Sequence, residues 1–444
     1  MSVVELLNKE KWRALGEFLL IDLVQILIVS VLVLDQETPQ VVGLDFTRSD
    51  PLVSSSLFLG ICTIQLFLVY AVALSVRRSK DLVRLYPHFD PSQKCDCKFG
   101  RDQIVQWVLD LAKEERVKVH DIFLMRSPFP NAFTFSLPLI GSTVVVHSNV
   151  LDLLQPSEVR AIIAHELGHI KNKDSVIMIL LRIPSFFVQV VYVYIYARLI
   201  LALVDTLLVN FDPIVAAIRL GVLVGFALLS RLALFLSMVF LQKASRRAEL
   251  ISDVDAATVV GVEVTINALI RLGQRIEAIN ALVNELRWLQ SLGADVSGQA
   301  AQNELNRMIL LYPLDSIEEG DARRLAPEVF LSSRLKHLRD VYGVALSDNQ
   351  IEEAILPALK YLAEKRGPAP ATPTGPLAGK VDWRQVDHDG NRRLSSDEIQ
   401  ELIRVLRENP TRLMFDSEVG ARLLVLDHPD FRRRILTIAD AFGL

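Results

Sequence analysis

"IIAHELGHIKNKDSVIMILLRIPSFFVQVVYVYIY", residues 162–196, sets two kinds of chemistry side by side. Its first part holds two histidines four residues apart, with a glutamate after the first. Its second part is an apolar run broken only by Arg182, Pro184 and a few polar residues. Upstream, "LLQPSEVRAIIAHELGHIKNK" (153–173) reads as a helix, because Pro156 and Ser157 suit a first turn. At three-to-four residue spacing, Ile162, His165, Glu166 and His169 share one side of it. His165 and His169 can then reach one ion. Zinc fits best, since two neutral imidazoles and a carboxylate leave a fourth position for water. Glu166, beside a ligand, can take a proton from that water and return it to a leaving group.

A third ligand follows from the next motif. In "SRRAELISDVDAA" (245–257) Glu249 and Asp253 lie one helical turn apart. Glu249 can complete the zinc sphere, and Asp253 can accept the remaining N–H of a ligand histidine and fix its tautomer. A helical hairpin between His169 and Glu249 would return the chain to the same membrane face.

Composition agrees with a membrane protein. The chain has 444 residues, 51% of them hydrophobic, and a mean hydropathy of +0.33, more apolar than a soluble protein needs. Four apolar segments are legible. Residues 52–76 carry no charge over a membrane-crossing length, and residues 15–34 include Glu17 and Asp22 and read as a retained anchor. Residues 175–204 contain Arg182 and Arg198, and residues 213–241 contain Arg219 and Arg231. Each arginine near mid-bilayer costs about 2.5–3.5 kcal/mol, so those faces are expected to turn toward one another or toward a polar cavity. Lys9, Lys11 and Arg13 before the first span, Arg77, Arg78 and Lys80 after the second, and Lys243, Arg246 and Arg247 after the fourth predict a cytoplasmic metal motif and cytoplasmic termini. A net charge of -4 gives no reason to expect a nucleic-acid partner. Cys62, Cys95 and Cys97 are an odd number and do not suggest a disulfide framework.

The string "AHELGHIKNKD", two apolar helices and then "SRRAELISDVDAA" resemble the HtpX-type membrane zinc metalloproteases, relatives of the CAAX prenyl endopeptidases. The resemblance implies a gluzincin-like peptidase with His165, His169 and Glu249 on zinc, Glu166 as general base and Asp253 behind a ligand. It extends to "PNAFTFSLPLIGSTVVVHSNVLDLL" (130–154), where it implies that Asn131, Ala132 and Phe133 lie on an edge strand that pairs with an extended substrate. His147 has no matching role and is read as structural. "DHPDFRRRILTI" (427–438) supplies the His-Pro and Arg-Ile pairs of the family's closing motif as His428, Pro429, Arg434 and Ile435. Arg434 could support the site or cap a helix. The clear likeness covers roughly residues 100–260 and this piece, so the segment between reads as an insertion.

That insertion carries "DHDGNRRLSSDE" (387–398), which fits a twelve-residue calcium loop: Asp387, Asp389, Asn391, the carbonyl of Arg393, Ser395 and Glu398. It departs at the sixth position, where Arg392 replaces glycine. "LSDNQIEEAI" (346–355) parallels "LSSDEIQELI" (394–403) and reads as a degenerate partner hand. "EKRGPAPATPTGPLAG" (364–379) is a linker. Residues 256–340 read as helices, with an apolar face over Ile266, Leu269, Ile270, Leu272, Ile276 and Ile279 and a helical flap over Gln290 to Asn306.

The expected fold is mainly α: an integral membrane protein with about four transmembrane helices, a zincin-like catalytic domain with a small β-sheet, and a helical EF-hand-like C-terminal region. Its parts are two N-terminal transmembrane helices (1–80), the first part of the catalytic domain (81–174), a transmembrane hairpin (175–241), the second part with the third ligand (242–325), an EF-hand-like pair (326–410) and a C-terminal family helix (411–444). The expected activity is zinc-dependent cleavage of membrane-associated polypeptides, in membrane protein quality control and with calcium modulation. The expected place is the bacterial inner membrane, with the catalytic domain in the cytoplasm. Two alternatives are a CAAX-type prenyl-protein protease and a catalytically silent, calcium-responsive membrane scaffold; the intact Glu166 argues against the second.

Overall fold

A computed structural model of the chain describes residues 2–34, 51–79, 82–89, 98–125, 131–209, 211–274, 276, 381, 383–415 and 428–444. The degenerate hand, the linker, the helical flap, Lys80, Cys95 and Cys97 lie outside the described residues. In chain order the elements are α1 (Val3–Leu34), α2 (Pro51–Arg77), β1 (Leu82–Tyr86), α3 (Arg101–Glu114), β2 (Asp121–Met125), β3 (Ala132–Leu137), β4 (Gly141–His147), α4 (Ser148–Leu153), α5 (Pro156–Lys171), α6 (Asp174–Leu208) and α7 (Pro213–Val260). A helix α8 over 262–274 follows, then α9 (Ser396–Glu408) and α10 (Phe431–Phe442).

The four strands form one sheet in the order β1-β2-β4-β3. β2 and β4 run parallel, while β1 and β3 are antiparallel edges. Alternation along the strands sends Val83, Leu85, Ile122, Leu124, Val144 and Val146 to one face. There they meet α3, whose Ile104, Trp107, Val108 and Leu111 recur at helical spacing, and α5 through Val159, Ile163 and Leu167. Each such buried side chain contributes about 1.5–3 kcal/mol, and together they fix α5 over the sheet. Phe123, Val145, Phe133 and Phe135 take the other face, against Val76 at the end of α2.

Among the described residues, three helical stretches are long and apolar enough to cross a membrane by length and composition: Leu59–Arg77, α6 and α7. The first expected span, 15–34, is helical within α1 but is not among these three. α7 is a single helix of 48 residues, roughly 70 Å long at 1.5 Å per residue. The fourth apolar segment and the "SRRAELISDVDAA" motif are therefore one rod, whose far end carries Glu249 and Asp253. The expected turning of arginines inward holds for Arg219, whose guanidinium donates to the Ala202 carbonyl and the Thr206 hydroxyl of α6.

The C-terminal residues pack on α8. Ile266, Leu269 and Ile270 share a core with Trp383, Ile399, Leu402, Leu406, Phe415, Ile435 and Ile438. Gly273 admits the Phe415 ring, because a Cβ there would lie 2.2 Å from it. The loop at 387–398 is pinned in the same place. Asn267 donates to the Leu394 carbonyl at 2.9 Å and accepts its N–H at 2.8 Å, and Arg393 donates to Glu158 at 3.1 Å.

Candidate active site

α5 begins at a capping box in which Gln155 and Glu158 satisfy one another's backbone N–H groups, with Pro156 in the first turn. It ends at Lys171, and Lys173, with a left-handed φ of +54°, turns the chain into α6. Between these limits His165, Glu166 and His169 face α7. The two helices approach closely at Gly168: a Cβ there would lie 3.2 Å from the Cα and Oγ of Ser252. This close backbone approach is the contact that brings Glu249 to the histidines.

Glu249 Oε2 lies 3.5 Å from Nε2 of His165, and Oε1 lies 3.4 Å from Nε2 of His169. Ligand atoms of tetrahedral zinc lie about 3.4 Å apart, and His165, His169 and Glu249 bring one donor atom each within 4.8 Å of one another, a set that could hold such an ion. The opposite ring nitrogens are held by carboxylates. Asp253 Oδ1 is 2.9 Å from Nδ1 of His165, close though off the ring N–H axis, and Asp174 Oδ2 is 2.9 Å from Nδ1 of His169. Both rings thus present Nε2 as the free ligand atom.

Charges behind the ligands continue the pattern. Arg434 binds both oxygens of Asp253, at 2.7 and 2.6 Å. Of the two roles open to Arg434, it takes the one that supports the site. Asp174 in turn receives the ammonium of Lys11 from α1. His428, exposed at the mouth, puts Nδ1 3.0 Å from Glu249 Oε2. The sequence reading assigned no role here to Asp174 or Lys11. Only the position of Asp174 at the end of "HELGHIKNKD" could have hinted at one.

Electrostatics follow from this packing. Burial disfavours charge on His165, but Asp253 and Glu249 outweigh it and push its pKa up to about 9. Burial is likewise overridden at His169, which Asp174 and Glu249 hold well above the ordinary value. For Glu249 burial would raise the pKa, yet contacts from His165, His169 and His428 keep it well below the usual carboxylate range. At Glu166 burial wins, and its pKa is raised, which suits a carboxylate that must accept a proton.

These residues line a cleft of about 630 Å³ together with Asn131, Ala132 and Phe133. Ala132 and Phe133 lie on β3, an edge of the sheet, and Asn131 directly precedes it. Thr134 ties that strand to α5 by donating to the Glu166 carbonyl at 3.3 Å. His147 occupies the N-cap position of α4, and its ring stands edge-on to Phe133.

Residues 101–314 match the family model for Peptidase family M48. Over this stretch the chain is similar to M48 peptidases of the HtpX type. It is 28% identical over 182 residues to Protease HtpX homolog of Methylacidiphilum infernorum, covering 41% of this chain and 59% of the relative. To Protease HtpX of Chromohalobacter salexigens it is 29% identical over 178 residues, 38% of this chain and 56% of that protein. To Protease HtpX homolog of Aeropyrum pernix it is 41% identical over 86 residues, 19% and 27% of the two chains. The chain therefore spans less than two thirds of the length of these curated relatives. The M48 match runs to residue 314 and takes in α8.

The acidic loop is a separate cluster. Asp387, Asp389 and Glu398 bring carboxylate oxygens within 4.8 Å of one another. Arg392 occupies the position expected for glycine with φ +65°, and its N–H donates to Asp387. Asn391 accepts from the Arg393 N–H and donates to Asp389, while Ser395 and Glu398 form the capping box that opens α9. One 3-10 turn, Trp383–Gln385, precedes the loop in place of a full entering helix.

Proposed function

We propose that the chain is a membrane-bound zinc endopeptidase. The reading rests on one observation: the Nε2 atoms of His165 and His169 converge on Glu249 at tetrahedral spacing, and a carboxylate stands behind each ring. Zinc held by these three residues would polarise a peptide carbonyl and acidify water. Glu166, next to His165 and not itself a ligand, takes the proton from the attacking water and delivers it to the leaving amine. Asp253 and Asp174 hold the imidazoles in register. An extended substrate adds to the edge of β3 along Asn131, Ala132 and Phe133, so that main-chain pairing presents the scissile bond to α5.

Polypeptides in or at the lipid bilayer are the proposed substrates. The site sits on the continuation of helices apolar enough to span, which supports a role in membrane protein quality control at a bacterial inner membrane, with the site in the cytoplasm. Calcium is proposed for the loop of Asp387, Asp389, Asn391, Arg393, Ser395 and Glu398, since a hard oxygen set favours it. The Arg393 contact with Glu158 gives such an ion a route to the first turn of α5.

Metal analysis combined with cleavage of an unfolded test protein checks the central reading. Purified wild-type protein should contain one zinc and cut. Glu166→Gln should keep the zinc and lose about 100-fold or more in rate. Near-normal proteolysis by Glu166→Gln would refute the assignment of the general base.

A further inference from the structure

β3 and β4 are joined by a turn through Pro138, Leu139 and Ile140. Leu139 is 101% exposed and has φ +68°, a conformation that favours glycine or asparagine. A fully exposed leucine at the tip of a tight turn is a poor choice for water. The turn is fastened to the apolar helix α2 at two points. The Tyr70 hydroxyl donates to the Pro138 carbonyl at 2.8 Å, and the Arg77 guanidinium donates to the Ile140 carbonyl at 3.1 Å.

Depth follows from helix geometry. Leu59–Arg77 is the apolar span of α2, and Arg77 and Arg78 close it. Basic residues at the end of a span lie at headgroup level. Tyr70 is seven residues earlier on the same face, roughly 10 Å toward the hydrocarbon. The Pro138 carbonyl, bonded to Tyr70, therefore lies below the level of Arg77. Along the same stretch α2 displays Phe67 and Val72, both largely exposed.

The backbone of the turn is prepared for such a place. Proline has no N–H, the Ile140 N–H donates to the Pro138 carbonyl at 2.9 Å, and Leu137 pairs with Gly141. With Tyr70 and Arg77 added, the polar groups of Pro138 and Ile140 are satisfied within the protein, which lowers the cost of entering a bilayer.

We propose that the Pro138, Leu139 and Ile140 turn dips into the bilayer beside α2, with the Leu139 side chain in lipid, so that the edge strand β3 rises from the membrane to the His165, His169 and Glu249 cluster. From Leu137 to Thr134 is three residues, about 10 Å of strand, and Thr134 already touches the Glu166 carbonyl. A polypeptide leaving the bilayer meets the membrane end of β3 first. The proposal rests on the reading of the chain as a membrane protease, and the test separates the two.

Full-length protein, with Cys62, Cys95 and Cys97 replaced by serine, is placed in phosphatidylcholine and phosphatidylglycerol vesicles. A single environment-sensitive fluorophore is attached at Leu139→Cys, at Phe67→Cys on α2, or at Gln103→Cys on the exposed side of α3. Leu139 and Phe67 labels should be quenched by lipids carrying a nitroxide on the acyl chain and protected from aqueous iodide; the Gln103 label should behave in the opposite way. A Leu139 label quenched by iodide, with Phe67 still in lipid, would overturn the proposal and leave the membrane reading standing. A Leu139 label protected from both quenchers would also overturn it, because protein, such as a second copy, would then cover the tip. An iodide-quenched Phe67 label would remove both readings. Leu139→Asp should lower cleavage of a vesicle-tethered peptide about 10-fold, by loss of local presentation, and leave cleavage of the free peptide unchanged. Equal rates on the tethered peptide for variant and wild type would overturn the delivery role.

Discussion

Arg434 meets both carboxylate oxygens of Asp253, at 2.7 and 2.6 Å, across 181 residues of sequence. Both side chains are buried, with 11% and 1% of their surfaces exposed. Asp253 in turn stands behind His165, so α10 reaches the first of the proposed zinc ligands through one intermediary. Breaking a buried pair from one side strands a charge and costs about 3–5 kcal/mol. Arg434→Ala should therefore lower thermal stability and zinc affinity together. Arg434→Lys should recover only part of both, because an ammonium cannot make the two-pronged contact. Chelator competition and thermal melts on the two variants measure this.

Asp174 does for His169 what Asp253 does for His165, and it is anchored by Lys11. Asp174→Asn should keep the fold and weaken zinc binding about 10 to 100-fold, the usual cost of losing a group that orients a ligand. Lys11→Met should also weaken binding, although Lys11 touches no ligand. Zinc retention during dialysis against a graded chelator series distinguishes the variants. Wild-type retention in Asp174→Asn would remove Asp174 from the site.

Gly168→Ala sets two effects against each other. Alanine gains about 1 kcal/mol of helix propensity over glycine. Its Cβ would lie 3.2 Å from the Ser252 backbone, and overpacking of this kind costs about 1–3 kcal/mol. The second effect should win by a small margin in stability. The larger consequence is geometric, since separating α5 from α7 moves Glu249 off the histidines. Zinc affinity should fall more than the melting temperature suggests, and both can be read on the same preparation.

Calcium binding at 387–398 should be weak. Arg392 puts a cation where glycine is usual, and the Glu398 carboxylate is engaged by the backbone N–H groups of His388 and Ser395. An affinity on the order of 10 to 1,000 micromolar is expected. Calorimetry on the zinc-loaded full chain should detect it, and Glu398→Gln should abolish it. Arg393→Ala should leave calcium binding in place and uncouple it from proteolysis, because the contact with Glu158 is lost.

The cluster of His165, Glu166, His169 and Glu249 and the apolar helices were legible because each rests on a local pattern. Two histidines at a spacing of four, Glu249 one turn from Asp253, and long uncharged runs follow from helix period and bilayer thickness alone. The edge position of β3 came only through the family resemblance, since "NAF" by itself is an ordinary strand start. What the sequence left open were contacts between distant segments. Whether Arg434 met Asp253 or capped α10, and that Lys11 of α1 would back Asp174, depended on helices separated by more than 160 residues arriving side by side. So did the fusion of the fourth apolar segment with the ligand helix into α7. Long side chains such as lysine and arginine satisfy many positions on paper. Only the packing of α1, α5, α7 and α10 around one buried cluster of charge decided which carboxylate each would neutralise.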